Sequence, residues 1–475
     1  MKPIWWLLLL VVVLLFIASA IFWFGSPRLE DYSPAQADLD VSPAASLHLT
    51  FSARMHEQSV IDRLSIEPAV AGAYTWEGAT LVFTPEQPWP AGATLQVSLA
   101  PGARLAGWLP LSTRQGYTWT FTVRLPTLLY LYPADQAANL YQIDLRTQQS
   151  KQLTNFPTGL LEFDAAPDGS TIYYSIENSL GGSDIYRLET EADPSNPQAS
   201  LVLACQQAQC RAPRIAPQQD YLAYERIEPP GSDQPVYPRV WLANLSDAPG
   251  NTTTPSEKVD SEPQLVGDPR HQTIQPDWSA NGILSFYDIN QQAFIVLDPR
   301  SGQGTSLPNQ TGEPGSWSPS GRVYIAAEIY FNTGGNPQTT PELKPIASSH
   351  LLRYNIEDGA IQDLTGTEDL EDATPAFSPD GLWLAFARKY LEISRWTPGR
   401  QLWVMRADGS QARQLTDQPD YNHYDFAWDP AGGQLAFVRF DQTAPTNLPA
   451  IWLYDLEHNF ETELVPGGYA PHWIP

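Results

Sequence analysis

Much of the chain alternates apolar and polar residues with a period of two, the pattern of half-buried β-strands. Near the N-terminus this pattern occupies residues 47–51 (LHLTF), 80–84 (TLVFT), 94–99 (TLQVSL) and 117–123 (YTWTFTV), with turn residues between them. Consecutive half-buried strands of this kind form antiparallel sheets. The pattern therefore predicts a small β-sandwich over residues 46–125.

A longer repeat follows the sandwich. Its clearest copy has the opening TPAFSPDG at residues 374–381, the strands LWLAFA at 382–387 and QLWVMR at 401–406, and the closing RQLT at 413–416. The openings of the copies align on a proline at positions 167, 217, 319, 379 and 430 and on an alanine at position 280. Intervals of this width correspond to one four-stranded propeller blade each.

The two ends of the repeat region complement each other. Residues 128–132, 139–145 and 151–154 have the pattern of a blade without its first strand, whereas residues 470–475 have that of a first strand with nothing after it. Pairing them closes the ring and removes an exposed sheet edge. The fold class is therefore predicted as all-β, with a propeller over residues 126–475; seven blades are favoured and six are the alternative.

The repeats resemble the TolB-type β-propeller family, whose signature has an aromatic residue, Ser-Pro-Asp-Gly, an Ala-Phe strand and a closing Leu-Thr. Residues 76–95 resemble the bacterial Ig-like domains of surface proteins. The first resemblance implies a relative of TolB, because TolB itself is expected to have fewer blades. The second implies a spacer or adhesion module without catalytic residues.

The N-terminal residues indicate the cellular location of the protein. Residues 4–24 form an apolar run that a single serine interrupts. A helix of that length, at about 1.5 Å per residue, matches a hydrocarbon core of about 30 Å. Lys2 and the terminal amine precede the run, whereas Glu30 and Asp31 follow Arg28 on the far side, so the positive-inside rule favours a body outside the cytoplasm. We predict a single-pass transmembrane anchor over residues 1–25 in the cell membrane, with the body in the periplasm or at the cell surface.

Residues 26–45 are rich in Pro, Ala, Asp and Ser without apolar periodicity, which predicts a stalk. The alternative for the N-terminus is a cleaved signal peptide, because residues 18–20 form an A-x-A site. Cleavage there would leave large apolar residues at positions 21–24 exposed, and this favours the anchor.

The charge of the chain restricts the classes of partner it can bind, and its cysteine content allows one disulfide. The formal net charge is −26 and the sequence has no basic run, so we expect no nucleic-acid partner. Cys205 and Cys210 are the chain's only cysteines. Outside the cytoplasm they would form a local disulfide that closes a turn; unpaired structural thiols are the alternative.

The candidate site residues lie in the connections between blades, which ring the central channel of a propeller. We find no G-x-S-x-G, H-E-x-x-H, Walker A or EF-hand motif, and we expect no cofactor. The candidate partner-binding residues are His271, Gln275, Glu371, Asp372, Tyr421, His423, Tyr424, Tyr469 and His472.

These observations predict a membrane-anchored extracytoplasmic binding or scaffold protein whose propeller presents loops to a protein, peptide or glycan. The alternative is a carbohydrate-active enzyme of the lyase kind. The repeats also resemble oligogalacturonate lyases, which implies a channel metal held by His271, Gln275, His423 and His472. The three histidines precede the aromatic residue of their repeats by seven, five and one positions, which places them at different heights and disfavours a shared metal.

Overall fold

The computed structural model describes residues 25–41, 43, 45–86, 89–145, 147–190, 199–232, 234–245, 262–332, 346–366, 369–444 and 446–474. The chain divides into two compact units, residues 1–125 with 475 and residues 126–474. The predicted anchor lies outside the described residues except for Gly25. Within the described ranges, no helix combines the length and apolar character needed to cross a membrane.

The N-terminal unit is a two-sheet sandwich. One sheet has the strand order β1-β3-β6-β5 and the other has the order β2-β8-β7-β4. The elements are β1 (Leu29–Ser33), β2 (Asp38–Val41), β3 (Leu47–Phe51), α1 (Glu57–Ile61), β4 (Leu64–Glu67), β5 (Gly72–Glu77), β6 (Thr80–Pro85), β7 (Thr94–Leu99) and β8 (Tyr117–Val123).

The sandwich core follows from the period-two alternation, because alternate side chains of a strand point to the same face. Leu49, Leu81 and Val97 are completely buried, each from a different strand of the two sheets. Trp89 is also buried, and its Nε1 donates a hydrogen bond to the Ala45 carbonyl at 2.7 Å.

The stalk predicted over residues 26–45 is wrong. Strand β1 pairs antiparallel with β3, and β2 pairs parallel with β8, so both belong to the sandwich. Leu29 and Val41 are buried, and the ring of Tyr32 lies 4.4 Å from that of Trp119. These strands lie at the edges of their sheets and bury few side chains, so their sequence lacks the apolar periodicity of a central strand.

The second unit contains seven four-stranded groups in the described part of the chain. Six of them follow chain order. Their strands are β12 (Glu162–Ala165), β13 (Thr171–Glu177), β14 (Ser183–Glu189), β15 (Ala199–Leu203); β16 (Gln209–Ile215), β17 (Tyr221–Ile227), β18 (Arg239–Asn244), β19 (Gln264–Leu265); β20 (Thr273–Trp278), β21 (Leu284–Asp288), β22 (Ala293–Leu297), β23 (Gly304–Pro308); β24 (Ser316–Trp317), β25 (Val323–Asn332), β26 (Ile346–Asn355), β27 (Ile361–Asp363); β28 (Leu370–Phe377), β29 (Trp383–Tyr390), β30 (Gln401–Arg406), β31 (Arg413–Gln414); and β32 (Tyr421–Trp428), β33 (Gln434–Asp441), β34 (Ala450–Asp455), β35 (Phe460–Pro466).

The remaining group joins both ends of the unit. Its strands are β9 (Thr127–Tyr132), β10 (Asn139–Asp144), β11 (Gln149–Gln152) and β36 (Tyr469–Ile474). Strand β36 pairs antiparallel with β9, with Trp473 opposite Leu128. The two half-blades of the sequence predict this pairing. It completes the blade at the N-terminal end of the repeat with a first strand from the C-terminal end.

A tryptophan at a fixed position of the repeat joins several neighbouring blades. The indole Nε1 of Trp278, Trp428 and Trp473 donates to a main-chain carbonyl in the first strand of the preceding blade, at 2.9, 3.0 and 2.9 Å. The rings pack into the apolar clusters between blades. The aromatic residue of the repeat therefore has a structural role.

The predicted disulfide is present, between Cys205 and Cys210, whose Cα atoms are 6.2 Å apart. Both cysteines are buried in a cluster with Ile185 and Leu203 of the blade β12–β15 and Tyr224 of the blade β16–β19. The bond closes the short connection between two blades.

Candidate functional site

The first strands of the blades line the centre of the propeller, and one repeat position decides which side chains lie there. This position is three residues before the aligned proline. Going round the ring it is occupied by His472, Asp164, Arg214, Asp277, Ser316, Ala376 and Ala427. Four consecutive blades therefore have ionisable side chains and the other three have small ones.

This asymmetry is accompanied by a central cavity of about 500 Å³, which we call the channel cavity. Its wall includes the four ionisable residues His472, Asp164, Arg214 and Asp277, together with Glu162 and Asp425. A cavity of this size can hold a small ligand or the tip of a larger one.

A β-bulge shapes the first strand of five blades. In each, the register shifts and a residue other than glycine has a positive φ. These residues are Ala212 (48°), Gln275 (56°), Thr374 (47°), Asp425 (58°) and Ala470 (52°). Non-glycine residues seldom adopt this conformation, and bulges re-aim the side chains that follow them. The bulges lie two residues before the ring of ionisable and small side chains.

The guanidinium of Arg214 at the channel cavity has N–H donors that make no hydrogen bond with a described residue. Its Nη1 donates to the neighbouring Pro213 carbonyl at 2.9 Å. No described carboxylate forms an ion pair with Arg214 within 4.0 Å. The charge of Arg214 nevertheless acts on Asp277 and Asp425, and the charge of Asp164 acts on Asp277. Asp164 instead accepts a hydrogen bond from the backbone N–H of Ile215 at 2.8 Å. The guanidinium can therefore bind an incoming acceptor without first breaking an ion pair.

The protein around the channel cavity shifts the pKa values of its acids upward. Burial raises the pKa of Asp277 to about 6, against the opposing effects of Arg214 and of the Trp278 N–H. Desolvation at the channel cavity likewise raises the pKa of Asp425 to about 6 and raises that of Glu162. The pKa of His472 is lowered by burial, so its imidazole is neutral near pH 7. The charge of the cavity wall thus changes close to neutral pH.

A second cavity, of about 640 Å³, lies between the last complete blade and the composite blade. We call it the Trp452 groove, and its apolar lining includes Tyr132, Pro133, Tyr421, Phe440, Pro449 and Trp452. Arg439 forms part of the lining, with its guanidinium carbon 3.3 Å from the Trp452 ring centre and 5.1 Å from that of Tyr421. Its Nη1 donates to Glu461 Oε1 at 3.0 Å.

The predicted site residues separate into several environments. Tyr469 and His472 line the channel cavity, whereas Tyr421 lines the Trp452 groove. Gln275 is a bulge residue whose backbone N–H donates to Glu225 Oε1 at 2.9 Å, and its own side-chain oxygen is buried without a partner in the described residues. The predicted site residues therefore do not share one cavity.

The acidic and aromatic candidates outside the two cavities have structural contacts. Asp372 is completely buried and accepts two hydrogen bonds from Arg388, at 2.6 and 2.7 Å. Glu371 pairs with Lys389 at 2.6 Å and with Arg400. Tyr424 packs its ring 5.6 Å from that of Phe440, and burial raises its pKa to about 12.

The histidines considered as metal ligands lie apart. His271 Nδ1 is 2.8 Å from Asp288 Oδ2, and His423 is completely buried with its Nδ1 donating to the Arg400 carbonyl. Burial lowers the pKa of His423 to about 4. The described residues contain no group of three or more His, Cys, Asp or Glu side chains placed to hold a metal ion. The metal ligand set implied by the lyase resemblance is therefore not assembled in the described part of the chain.

Sequence reasoning missed the residues that dominate the channel cavity, namely Glu162, Asp164, Arg214, Asp277 and Asp425. The signal was present, because the aligned prolines fix the position three residues before them. Reading that column would have shown three charged residues in adjacent blades. The residues predicted from the sequence were chosen as loop residues and histidines, whereas the first strands provide most of the cavity wall.

Comparisons with known proteins give one family match and several similar solved structures. Residues 25–123 match the family described as bacterial Ig-like domain. A search of curated proteins finds no match. Among solved structures, TolB from Acinetobacter baumannii is 10% identical with a TM-score of 0.42, and the match covers 95% of this chain and 99% of that one.

Two further solved structures are similar to this chain. A protein assigned as TolB from Agrobacterium tumefaciens is 18% identical with a TM-score of 0.37, covering 72% of this chain and 88% of that one. An oligogalacturonate lyase in complex with manganese is 16% identical with a TM-score of 0.38, covering 58% and 72%. Such likenesses concern the fold alone. Residues 25–123 thus match the bacterial Ig-like domain family, and the structural neighbours of the chain include TolB proteins.

Proposed function

We propose that this chain is a membrane-anchored extracytoplasmic binding or scaffold protein, and that a protein, peptide or glycan partner binds at the channel cavity of its propeller. The observation that carries the proposal is the state of Arg214. Its guanidinium faces a cavity of about 500 Å³ and has no ion pair within the described residues, although three aspartates share the cavity wall.

Several features of the cavity suit a polar ligand group. A carboxylate, a carbonyl or a sugar hydroxyl can accept hydrogen bonds from Arg214, and the neutral His472 offers a further donor or acceptor. Asp277 and Asp425, with pKa values of about 6, can accept hydrogen bonds when ionised and donate them when protonated. The wall is mostly provided by strands, which holds these groups in place.

The proposed location rests on the sequence of the N-terminus. The apolar run at residues 4–24, with Lys2 before it and acidic residues after it, is of the kind that anchors a body outside the cytoplasm. In this arrangement the Ig-like domain would serve as a spacer between the anchor and the propeller. The alternative of a lyase with a channel metal has no comparable support, because His271 and His423 do not line the channel cavity.

The proposal can be tested by photo-crosslinking in cells that produce the full chain. Leu161 lines the channel cavity and is 39% exposed, so a photoreactive phenylalanine analogue at this position would face an incoming partner. We expect a crosslinked adduct with a protein, peptide or glycan, recovered in the membrane fraction and accessible to protease added outside the cytoplasmic membrane.

The control is the same analogue at Phe460, which is 64% exposed on strand β35 and does not line either cavity. The adduct should depend on Arg214 and disappear in the Arg214→Met variant. Equal labelling from both positions would contradict binding at the channel. Recovery of the adduct in the soluble fraction, with an N-terminus at Ile21, would contradict the anchor alone.

A further inference from the structure

We propose that the Trp452 groove is a second binding site, which accepts a proline-rich, positively charged peptide segment in the polyproline II conformation. This inference goes beyond the proposed function, because the groove and the channel cavity share no lining residue. Three properties of the groove carry it: a fixed aromatic floor, hydrogen-bond donors without partners, and unpaired carboxylates at its rim.

The floor of the groove is held by Arg439. This residue is only 8% exposed, and its guanidinium lies against the Trp452 ring at 3.3 Å and near the Tyr421 ring at 5.1 Å. Glu461 fixes the guanidinium from the side through its hydrogen bond with Nη1. The guanidinium therefore helps to hold the Trp452 and Tyr421 rings in place, and one face of Trp452 is already covered by a cation. A covered face disfavours a sugar ring that needs an open aromatic platform.

The walls of the groove match the needs of a polyproline II backbone. Such a backbone makes no internal hydrogen bonds, so its carbonyls seek external donors, and its proline rings pack between aromatic rings. The indole N–H of Trp452 and the hydroxyls of Tyr132 and Tyr421 make no hydrogen bond with any described residue, and all three residues line the groove. Tyr132 is 38% exposed at one wall.

Charge selects a basic segment. Asp135 and Glu463 line the groove, are exposed, and form no ion pair with a described residue. Glu463 lies directly opposite Trp452 in the pairing of β34 with β35. The one cation of the lining, Arg439, is engaged by Glu461, and the whole chain has a net charge of −26. An arginine or lysine beside the prolines would pair with the free carboxylates, whereas an acidic peptide would be repelled.

The test is a titration of the purified protein with synthetic peptides, followed by fluorescence anisotropy. The probe is a polyproline peptide with an arginine at each end; the comparison peptides have glutamate at each end, or glycine and serine in place of proline. We expect only the arginine-ended polyproline peptide to bind, and we expect its affinity to fall as salt is added. Tyr132→Ala and Trp452→Phe should each weaken binding about tenfold.

The matched control is Trp396→Ala, which removes an aromatic ring that is 54% exposed and lies outside the groove; it should leave the affinity unchanged. Asp135→Asn combined with Glu463→Gln should remove most of the salt dependence. The proposal is overturned if the probe does not bind, if the glutamate-ended peptide binds equally well, or if the groove variants bind like the wild type. Saturable binding of a neutral oligosaccharide that Tyr132→Ala abolishes would overturn it in favour of a glycan site.

Discussion

At the scale of single residues, the channel cavity gives its acids unusual protonation behaviour. The pKa of Asp277 is about 6 in the folded state and 3.8 is its ordinary value, so the folded protein binds this proton more tightly than the unfolded chain does. Asp277 therefore opposes folding above pH 6, and this penalty disappears as the pH falls from about 6 to about 4.

Asp277→Asn should consequently raise the free energy of unfolding at pH 7.5, by up to roughly 3 kcal/mol, and the difference from the wild type should vanish near pH 4. Urea unfolding at both pH values measures it. Asp135→Asn, at an exposed carboxylate without an ion pair, is the control and should change little. A destabilised Asn variant at pH 7.5 would show that the charged form of Asp277 is needed for folding.

Residue types alone did not reveal which titratable groups meet. His423 and Tyr424 appeared in the same predicted connection as Tyr421, yet strand pairing buries His423 and packs Tyr424 against Phe440. Tyr421 lines the Trp452 groove. Strand pairing and packing give the residues of one strand different surroundings, so a cluster in sequence is not a cluster in space.

At the scale of strands and blades, periodicity was a good guide where strands are half-buried and a poor one at sheet edges. Strands β3, β7 and β8 follow the alternation closely, whereas β1 and β2 were predicted as a stalk. Bulges were not predictable either, since Ala212 and Ala470 are ordinary alanines in sequence and have positive φ only because the first strands shift register.

The closure by β36 makes a quantitative prediction. Trp473 is 9% exposed, packs among residues of the composite blade and the blade before it, and donates to the Ala427 carbonyl. Trp473→Ala should destabilise the propeller by about 3 to 5 kcal/mol, whereas Trp473→Phe, which keeps a ring but loses the hydrogen bond, should cost distinctly less.

Thermal unfolding of the full chain measures both changes. Trp108→Ala, at a ring that is 90% exposed in the other unit, is the control. An unfolding profile of Trp473→Ala that coincides with the control would mean that the ring does not depend on this junction.

At the scale of the whole molecule, the all-β class, the Ig-like domain and the propeller could be read from repeats and alternation. The site could not, because it depends on which blades place Asp164, Arg214 and Asp277 next to one another and which have small residues at the same position. A propeller converts one column of a repeat into a ring of side chains. Differences between the copies of that column, more than the features they share, therefore determine what the channel can bind.

The central claim is that a partner binds at the channel cavity through Arg214. The affinity of that partner for the wild type and for arginine variants tests this claim most directly. Once crosslinking from Leu161 has identified the partner, isothermal titration should be performed with the wild type, with Arg214→Met and with Arg322→Met, an exposed arginine that pairs with Glu357. Loss of a charge-assisted hydrogen bond predicts that Arg214→Met binds roughly ten to a hundred times more weakly, while Arg322→Met binds like the wild type. Equal affinities for all three proteins would contradict the account.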